Sequence, residues 1–150
     1  MATRIKIKRT KRNLAPDAPE FRAFHRFARI SPQKARLVMD QIRGLPVSAA
    51  LDQLRNMTQR AAAMTDKLLK SAIANADQAI DQELVRDAAG VVLEPQPDVA
   101  VDDLYIHEAK VDEGPRLKRW RPRARGSAYP YRRLFSHLTI RLRPRPAKEG

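Results

Sequence analysis

The sequence predicts an α+β fold in which three helices pack on a small three-stranded antiparallel sheet, from which a long basic β-hairpin protrudes. Helix-type apolar spacing with capping signals fills the first half of the chain, and strict strand-type alternation appears near its end. Between the last two predicted strands, a proline-containing stretch rich in arginine and free of acids interrupts the apolar pattern. With 150 residues, the chain can bury one core, and we expect a single domain.

The first strand is predicted over residues 21–29, which contain three phenylalanines. Ser31 followed by Pro32 is typical of a helix N-cap with proline at the first helical position, and Gly44 suits the end of the same helix. The apolar stripe of this first helix consists of Ala35, Val38 and Ile42.

Two more helices are predicted after Pro46. The apolar positions of the second helix are Val47, Ala50, Leu51 and Leu54. The third helix is predicted from about Gln59 to Ile80, and its apolar side consists of Ala61, Met64, Leu68, Ala72, Ala76 and Ile80. Because many of these residues are alanines, neighbouring elements can approach the third helix closely.

The second and third strands are predicted over residues 104–111 and 138–143. Along the third strand, leucine and isoleucine alternate with threonine and arginine, so we expect its apolar face to pack on the helices and its basic face to meet a partner. The roughly 25 residues between these strands contain three prolines, which predict an irregular two-limbed ribbon. The limb from Leu104 to Trp120 could reach roughly 55 Å, well beyond a globule whose radius of gyration is about 15 Å.

The charge of the chain indicates a polyanionic partner. Lysine and arginine outnumber aspartate and glutamate by 30 to 17, which gives a net charge of +13 and a pI near 10.9. Residues 1–14 hold six basic side chains and no acid, residues 77–103 hold eight acids and one base, and residues 114–148 hold twelve bases and no acid. Nucleic acid is therefore the expected partner.

Two of these segments have an alternative interpretation. Residues 114–148 could be a solvated, disordered tail, but the aromatic residues among their arginines and the final alternation favour a structure that is ordered by a partner. Residues 1–14 could resemble an organelle transit peptide, but they lack its serines and amphipathic apolar face. A basic RNA-contacting tail is the preferred interpretation, and a cytoplasmic protein is expected.

The sequence contains no recognisable catalytic or metal site. It has no cysteine, no phosphate-binding glycine motif and no apolar run near the roughly 20 residues of a transmembrane helix. His25, His107 and His137 fall in three different predicted strands. Asp112 and Glu113 would point to opposite faces of a strand, so we expect them to orient a Gly114-Pro115 turn and to offset nearby arginines. We therefore expect no enzyme activity, cofactor or metal, and no membrane association.

Closely spaced cations with one tryptophan form the candidate binding segment. Lys118, Arg119, Arg121, Arg123 and Arg125 offer donors suited to phosphates on two sides of a narrow RNA cleft. Trp120 could stack on a base or pack against the hairpin, and the same two roles are open to Tyr129 and Tyr131.

Five stretches of the sequence resemble the bacterial form of the large-subunit ribosomal protein twenty-two family. They cover residues 28–38, 71–76, 111–115, 122–126 and 136–139, and they read ARISPQKARLV, SAIANA, VDEGP, PRARG and SHLT. The resemblance implies a ribosomal protein without enzyme activity that binds ribosomal RNA (rRNA), supports assembly of the large subunit and contacts neighbouring ribosomal proteins. It also implies that the hairpin lines the polypeptide exit tunnel near the macrolide site and touches the nascent polypeptide there.

The residues expected to contact rRNA lie in the basic N-terminal segment, the first helix and the hairpin. They are Arg4, Lys6, Lys8, Arg9, Lys34, Arg36, Arg116, Lys118, Arg119, Arg121, Arg123, Arg125, Arg132 and Arg133. The expected tunnel-lining tip consists of Leu117, Lys118, Arg119, Trp120, Arg121 and Arg123. Arg36 lies off the apolar stripe of its helix, so we expect its loss to weaken RNA binding with little effect on thermal stability.

The resemblance implies one ribosomal-protein domain over residues 21–143, with the hairpin arm at about 112–134. Residues 1–20 form a basic N-terminal extension, residues 82–100 an acidic insert and residues 144–150 a C-terminal tail. Ser127 stands where the family often has a basic residue. An organellar ribosome is the less favoured location, and the alternative function is that of a free-standing architectural nucleic-acid-binding protein with a basic β-arm.

Overall fold

Residues 19–81 and 103–145 are described by the computed structural model, and they form a three-stranded sheet with three helices. In chain order, the elements are β1 (Phe21–Ala28), α1 (Pro32–Ile42), α2 (Val47–Asn56), α3 (Arg60–Asp81), β2 (Leu104–Pro122) and β3 (Ala128–Pro144). The strand order is β1-β3-β2, and both strand pairs are antiparallel. The predicted fold class is confirmed.

β3 is the central strand and carries the middle of the core. Leu138, Ile140 and Leu142 alternate along one face and are buried almost completely, as their spacing predicted. α1 packs against β2 and β3, whereas α3 packs against β1 and β3, so both helices cover this face of the sheet. The opposite face of the sheet, which includes Thr139 and Arg141, is called the open face below.

The helices begin and end close to the predicted positions. Ser31 is the N-cap of α1, Pro32 is its first residue, and Gly44 follows its C-cap with a positive φ of 83°. In α3, Ala72 and Ala76 are fully buried, which lets the helix approach the sheet closely.

The link between α1 and α2 covers part of the free edge of β2. The Gly44 amide donates to the Ile106 carbonyl at 2.9 Å, and the Ile106 amide donates to the Leu45 carbonyl at 2.9 Å. Pro46 and Tyr105 then form an isolated bridge. These contacts satisfy backbone groups that an exposed edge would present to other chains.

The predicted two-limbed ribbon is present, but it is more regular than predicted, because β2 and β3 remain paired almost to the end of the hairpin. The ladder runs from Leu104 opposite Pro144 to Pro122 opposite Ala128, with register shifts between Ile106 and Glu108 and between Glu113 and Arg116. Gly114 and Pro115 lie in the second shift, so the expected turn at these residues is a bulge within a continuous strand. In a two-stranded ribbon each strand has a free edge, which is where prolines are tolerated.

The expectation that β3 shows a basic face to a partner is wrong for its last part. Glu20 lies 3.0 Å from Arg141 and 3.1 Å from Arg143, and Glu108 lies 3.0 Å from Arg141. The Glu20 side chain is only 5% exposed, and that of Arg143 only 10%. Since β3 is central, acids from both flanking segments reach its arginines and neutralise them.

Replacing Glu20 with Gln should lower the free energy of unfolding by about 1–3 kcal/mol, because Arg143 would lose a charged partner in a buried position. Urea denaturation would measure this loss. Asp52→Asn is the matched control, because the Asp52–Arg55 pair is 73% and 66% exposed, and its loss should cost less than about 0.5 kcal/mol. Equal losses in both variants would contradict a structural role for Glu20.

Candidate nucleic-acid interface

The outer part of the hairpin, from Arg116 to Leu134, is called the arm below, and it has two different faces. Cross-strand partners point to the same side of a sheet, so its register sorts the side chains. One side, called the tyrosine face, carries Leu117, Arg119, Arg121, Tyr129, Tyr131 and Arg133. The other side, called the tryptophan face, carries Arg116, Lys118, Trp120, Pro130, Arg132 and Leu134.

On the tyrosine face, arginines stack on the aromatic rings. The guanidinium carbon of Arg121 lies 5.4 Å from the ring centre of Tyr131, and that of Arg123 lies 5.8 Å from the ring centre of Tyr129. Cation–π contacts of this kind stabilise the side chains in place. Both tyrosines therefore pack within the hairpin, which is one of the two roles that the sequence left open, although Tyr129 is still 61% exposed.

On the tryptophan face, Trp120 lies opposite Pro130 and is 68% exposed. Lys118 and Arg132 pair across the strands beside it. In the described part of the chain, no ion pair involves either of these two cations. The face therefore presents a flat aromatic surface next to two positive charges, which is the combination that single-stranded nucleic acid binds.

The hairpin ends in a short 3₁₀ turn, Ala124–Gly126, in which Arg125 and Gly126 have positive φ values of 58° and 69°. The Ser127 hydroxyl donates to the Ala124 carbonyl at 2.9 Å, and the Arg123 amide donates to the Ser127 carbonyl at 2.8 Å. Ser127 thus closes the turn. Of the six residues expected at the tip, only Arg123 flanks this turn, and the others lie along the β2 limb.

At the root of the arm, Glu113 binds Arg116 at 2.6 Å. The hydrogen bond from Arg116, together with its charge, holds the pKa of Glu113 below its usual value. Glu113 therefore offsets an arginine, as predicted. Among the described ion pairs, only the Glu113–Arg116 pair involves a cation between Arg116 and Arg133. The other seven of the eight cations there have no carboxylate partner within the described residues.

A basic groove lies between this root and the segment before α1. It has a volume of about 520 Å³, and its lining includes Arg29, Arg119, Tyr131 and Arg133. Arg29 was not among the predicted binding residues. The sequence around Arg29 does not indicate a binding role, because Arg29 comes to lie opposite the arm only when the chain folds.

The basic residues of α1 differ in their contacts. Arg36 donates to the Val111 carbonyl at 3.3 Å, and Arg43 donates to the Ala109 carbonyl at 2.6 Å. Lys34 is exposed, and the hydrogen bonds and ion pairs between described residues do not involve it. Arg36 therefore joins α1 to β2, so its loss is expected to affect stability more than its position off the apolar stripe predicted.

The family described as "Ribosomal protein L22p/L17e" matches residues 23–143. The chain belongs to this family. It is 44% identical over 121 residues to "Large ribosomal subunit protein uL22" of Chloroflexus aggregans, covering 81% of this chain and 92% of that protein. The protein with the same description from Solibacter usitatus is 41% identical over 128 residues, covering 85% and 99%. That of Acidothermus cellulolyticus is 43% identical over 127 residues, covering 85% of this chain and 41% of the relative.

Membership in the family confirms that the chain is a ribosomal protein of the large subunit and not an enzyme. It also confirms the resemblance drawn from the five sequence stretches. As a ribosomal protein, the chain has rRNA and other ribosomal proteins as its partner classes.

The three histidines lie on different strands, as predicted. Burial, followed by the charge of Arg143, lowers the pKa of His107. Within residues 19–81 and 103–145, no group of three histidine, cysteine or acidic side chains could hold a metal ion. Over the same residues, no helix has the length and apolar character needed to cross a membrane.

The N-terminal cations of the predicted site, Arg4, Lys6, Lys8 and Arg9, lie outside the described residues, and so does the predicted acidic insert at 82–100. The structure also shows a feature that the predicted site did not include. Phe24 and Phe27 are 53% and 59% exposed on β1, although the sequence suggested only that this strand is rich in aromatic residues.

Proposed function

We propose that the chain binds large-subunit rRNA through the arm and the exposed cations of α1, and that it supports assembly of the subunit. The observation that supports this most is the arm itself, where seven cations have no carboxylate partner among the described residues, five of them on the two faces and two at the turn. Such a density of charge repels itself until phosphates neutralise it. The cations Arg4, Lys6, Lys8 and Arg9 would extend the same contact from the N-terminal extension.

Irregular, folded RNA fits this arm better than regular duplex DNA does. Phosphates on two sides of a cleft can meet the cations of both faces at once, and unpaired bases can stack on the exposed ring of Trp120. A DNA groove would meet mainly one face of the arm. The geometry therefore favours rRNA over the free-standing architectural role.

The end of the arm suits a narrow passage. The ladder from Glu113 to Pro122 would span roughly 30 Å at about 3.3 Å per residue, which carries its end well away from the core. We infer that the β2 limb from Leu117 to Arg123 lines the polypeptide exit tunnel near the macrolide site, where it contacts the nascent polypeptide. Arg125, at the turn, would lie farthest from the domain.

Co-sedimentation tests the assignment to the large subunit. Tagged protein should travel with large subunits in a sucrose gradient, and in-cell crosslinking should recover large-subunit rRNA attached to residues of the arm. Recovery with chromosomal DNA would instead support the alternative function. Absence from the large-subunit fractions would contradict the proposal.

Lys34→Ala should weaken rRNA binding without changing the melting temperature, whereas Arg36→Ala should weaken binding and also lower stability by up to about 1 kcal/mol. The difference arises because Arg36 donates to the Val111 carbonyl and Lys34 is free in the described structure. Binding titrations and thermal denaturation would separate the two effects.

Lys67→Ala on α3 is the matched control, because Lys67 is also an exposed helical lysine but lies away from the arm. It should change neither binding nor stability. If Lys67→Ala weakened binding as much as Lys34→Ala, the affinity would depend on total charge, and the assigned role of α1 would be wrong.

A further inference from the structure

The open face of the sheet contains a groove with two exposed phenylalanine rings. The groove has a volume of about 320 Å³, which is near the lower end of the roughly 300–1,000 Å³ that small-molecule pockets occupy. Its lining includes Phe24, Arg26, Phe27, Asp112, His137 and Thr139. These rings do not belong to the apolar core, which lies on the other face of the sheet.

Phe27 is held in an unusual backbone conformation at the edge of this groove. Its φ of 57° falls in the left-handed region, which a bulky aromatic residue rarely adopts. The strain is supported by a hydrogen bond from the Phe27 amide to Nδ1 of His137 at 3.1 Å. The two rings also meet edge to face, with centres 4.8 Å apart. Strain that several contacts maintain at an exposed position is typical of a binding site.

The polar groups of the groove suit a nucleobase better than a phosphate. Because Nδ1 of His137 accepts a hydrogen bond, a neutral ring carries its proton on Nε2, which can donate to a base. Lys110 lies 3.2 Å from Oδ2 of Asp112, and no hydrogen bond between described residues uses Oδ1, which can accept from a base N–H. Lys110 offsets the charge of Asp112, which leaves Arg26 as the groove residue whose charge can attract the backbone of an attached RNA chain.

We propose that this groove binds one unpaired RNA base, stacked on Phe24 or Phe27 and hydrogen-bonded by Asp112 or His137. The inference rests on the proposed rRNA binding, and it adds a second contact on the open face of the sheet. The groove lies near the root of the arm, since Asp112 on β2 lies opposite His137 and directly precedes Glu113. An RNA strand could therefore pass from the arm to the sheet.

Nuclear magnetic resonance of the full-length protein with labelled phenylalanine, histidine and tryptophan tests this inference. Titration with adenosine or cytidine monophosphate should shift the ring signals of Phe24, Phe27 and His137 saturably, whereas ribose 5-phosphate should not. Phe24→Ala should weaken the binding of adenosine monophosphate at the groove about tenfold, which is within the range reported for removal of a stacking ring. Leu37→Ala, which removes an exposed apolar side chain from α1, should leave the response of the groove unchanged.

Four outcomes would overturn the inference. Equal shifts with ribose 5-phosphate would indicate a phosphate site, and shifts with N-acetyl-leucine amide but not with nucleotides would indicate a protein partner. Contacts from residues 1–18 to these rings in the free protein would assign the groove to the chain itself. Nucleotide-dependent shifts at Trp120 but not in the groove would leave the proposed function intact and remove only this inference.

Discussion

The affinity of the protein for its rRNA should fall about a thousandfold or more between roughly 50 and 200 mM salt. Each phosphate neutralised by a lysine or arginine releases a counterion, and about six to eight such contacts give a loss of affinity of this size. The structure supports that number of contacts, because among the described residues seven cations between Arg116 and Arg133 have no carboxylate partner, and Lys34 adds another. Filter binding or fluorescence anisotropy at several salt concentrations would measure the effect.

Single substitutions make this measurement specific to the arm. Replacing Lys118 or Arg132 with Gln should reduce the logarithmic salt slope by about one each. Arg55→Gln is the control, because Arg55 lies on α2 and is paired with Asp52. An affinity that is flat with salt, or an equal effect of Arg55→Gln, would contradict the proposal that the arm binds phosphates.

The elements of the fold were predictable because their signals are local. Ser31, Pro32 and Gly44 define α1 through backbone geometry within a few residues. Leu138, Ile140 and Leu142 define β3 through a period of two, whatever surrounds them. Neither signal depends on distant parts of the chain.

The errors concern contacts between distant residues. Glu20 neutralises Arg143 from 123 positions away, and Arg36 reaches the Val111 carbonyl from 75 positions away. The alternating arginines of β3 give the same sequence pattern whether or not a distant acid neutralises them. In the same way, Gly114-Pro115 is compatible with a turn or a bulge, and only the pairing of β2 with β3 selects the bulge.

The candidate site was likewise predictable only where its signals are local in the sequence. Composition and charge were enough to predict a basic arm, but its two faces depend on which residues pair across the hairpin. The position of Arg29 opposite the arm depends on that same fold. The left-handed conformation of Phe27 could not be predicted either, because phenylalanine is a residue that this region disfavours.

Removing the arm should leave the domain folded, while it weakens rRNA binding and changes the tunnel. No residue of the buried apolar core lies between Val111 and Leu138, so the arm contributes little to stability. Glu113 pairs with Ser136, and replacing residues 114–135 with Asn-Gly would therefore place these two residues on either side of a two-residue turn. The melting temperature should fall by only a few degrees, about the effect of 1 kcal/mol in a domain of this size.

The shortened protein should still enter large subunits through the domain, with lower affinity for rRNA. Loss of the β2 limb, including Leu117 and Trp120, should reshape the tunnel wall and alter both macrolide response and stalling by tunnel-sensing nascent peptides. Trp120→Ala in a full-length arm is the matched control, because it removes one exposed ring and keeps every charge. Its effect on both tunnel readouts and on rRNA affinity should be smaller than that of the deletion. If the deletion unfolds the domain, or if both tunnel readouts stay unchanged in correctly assembled subunits, the arm does not have a role separable from the domain.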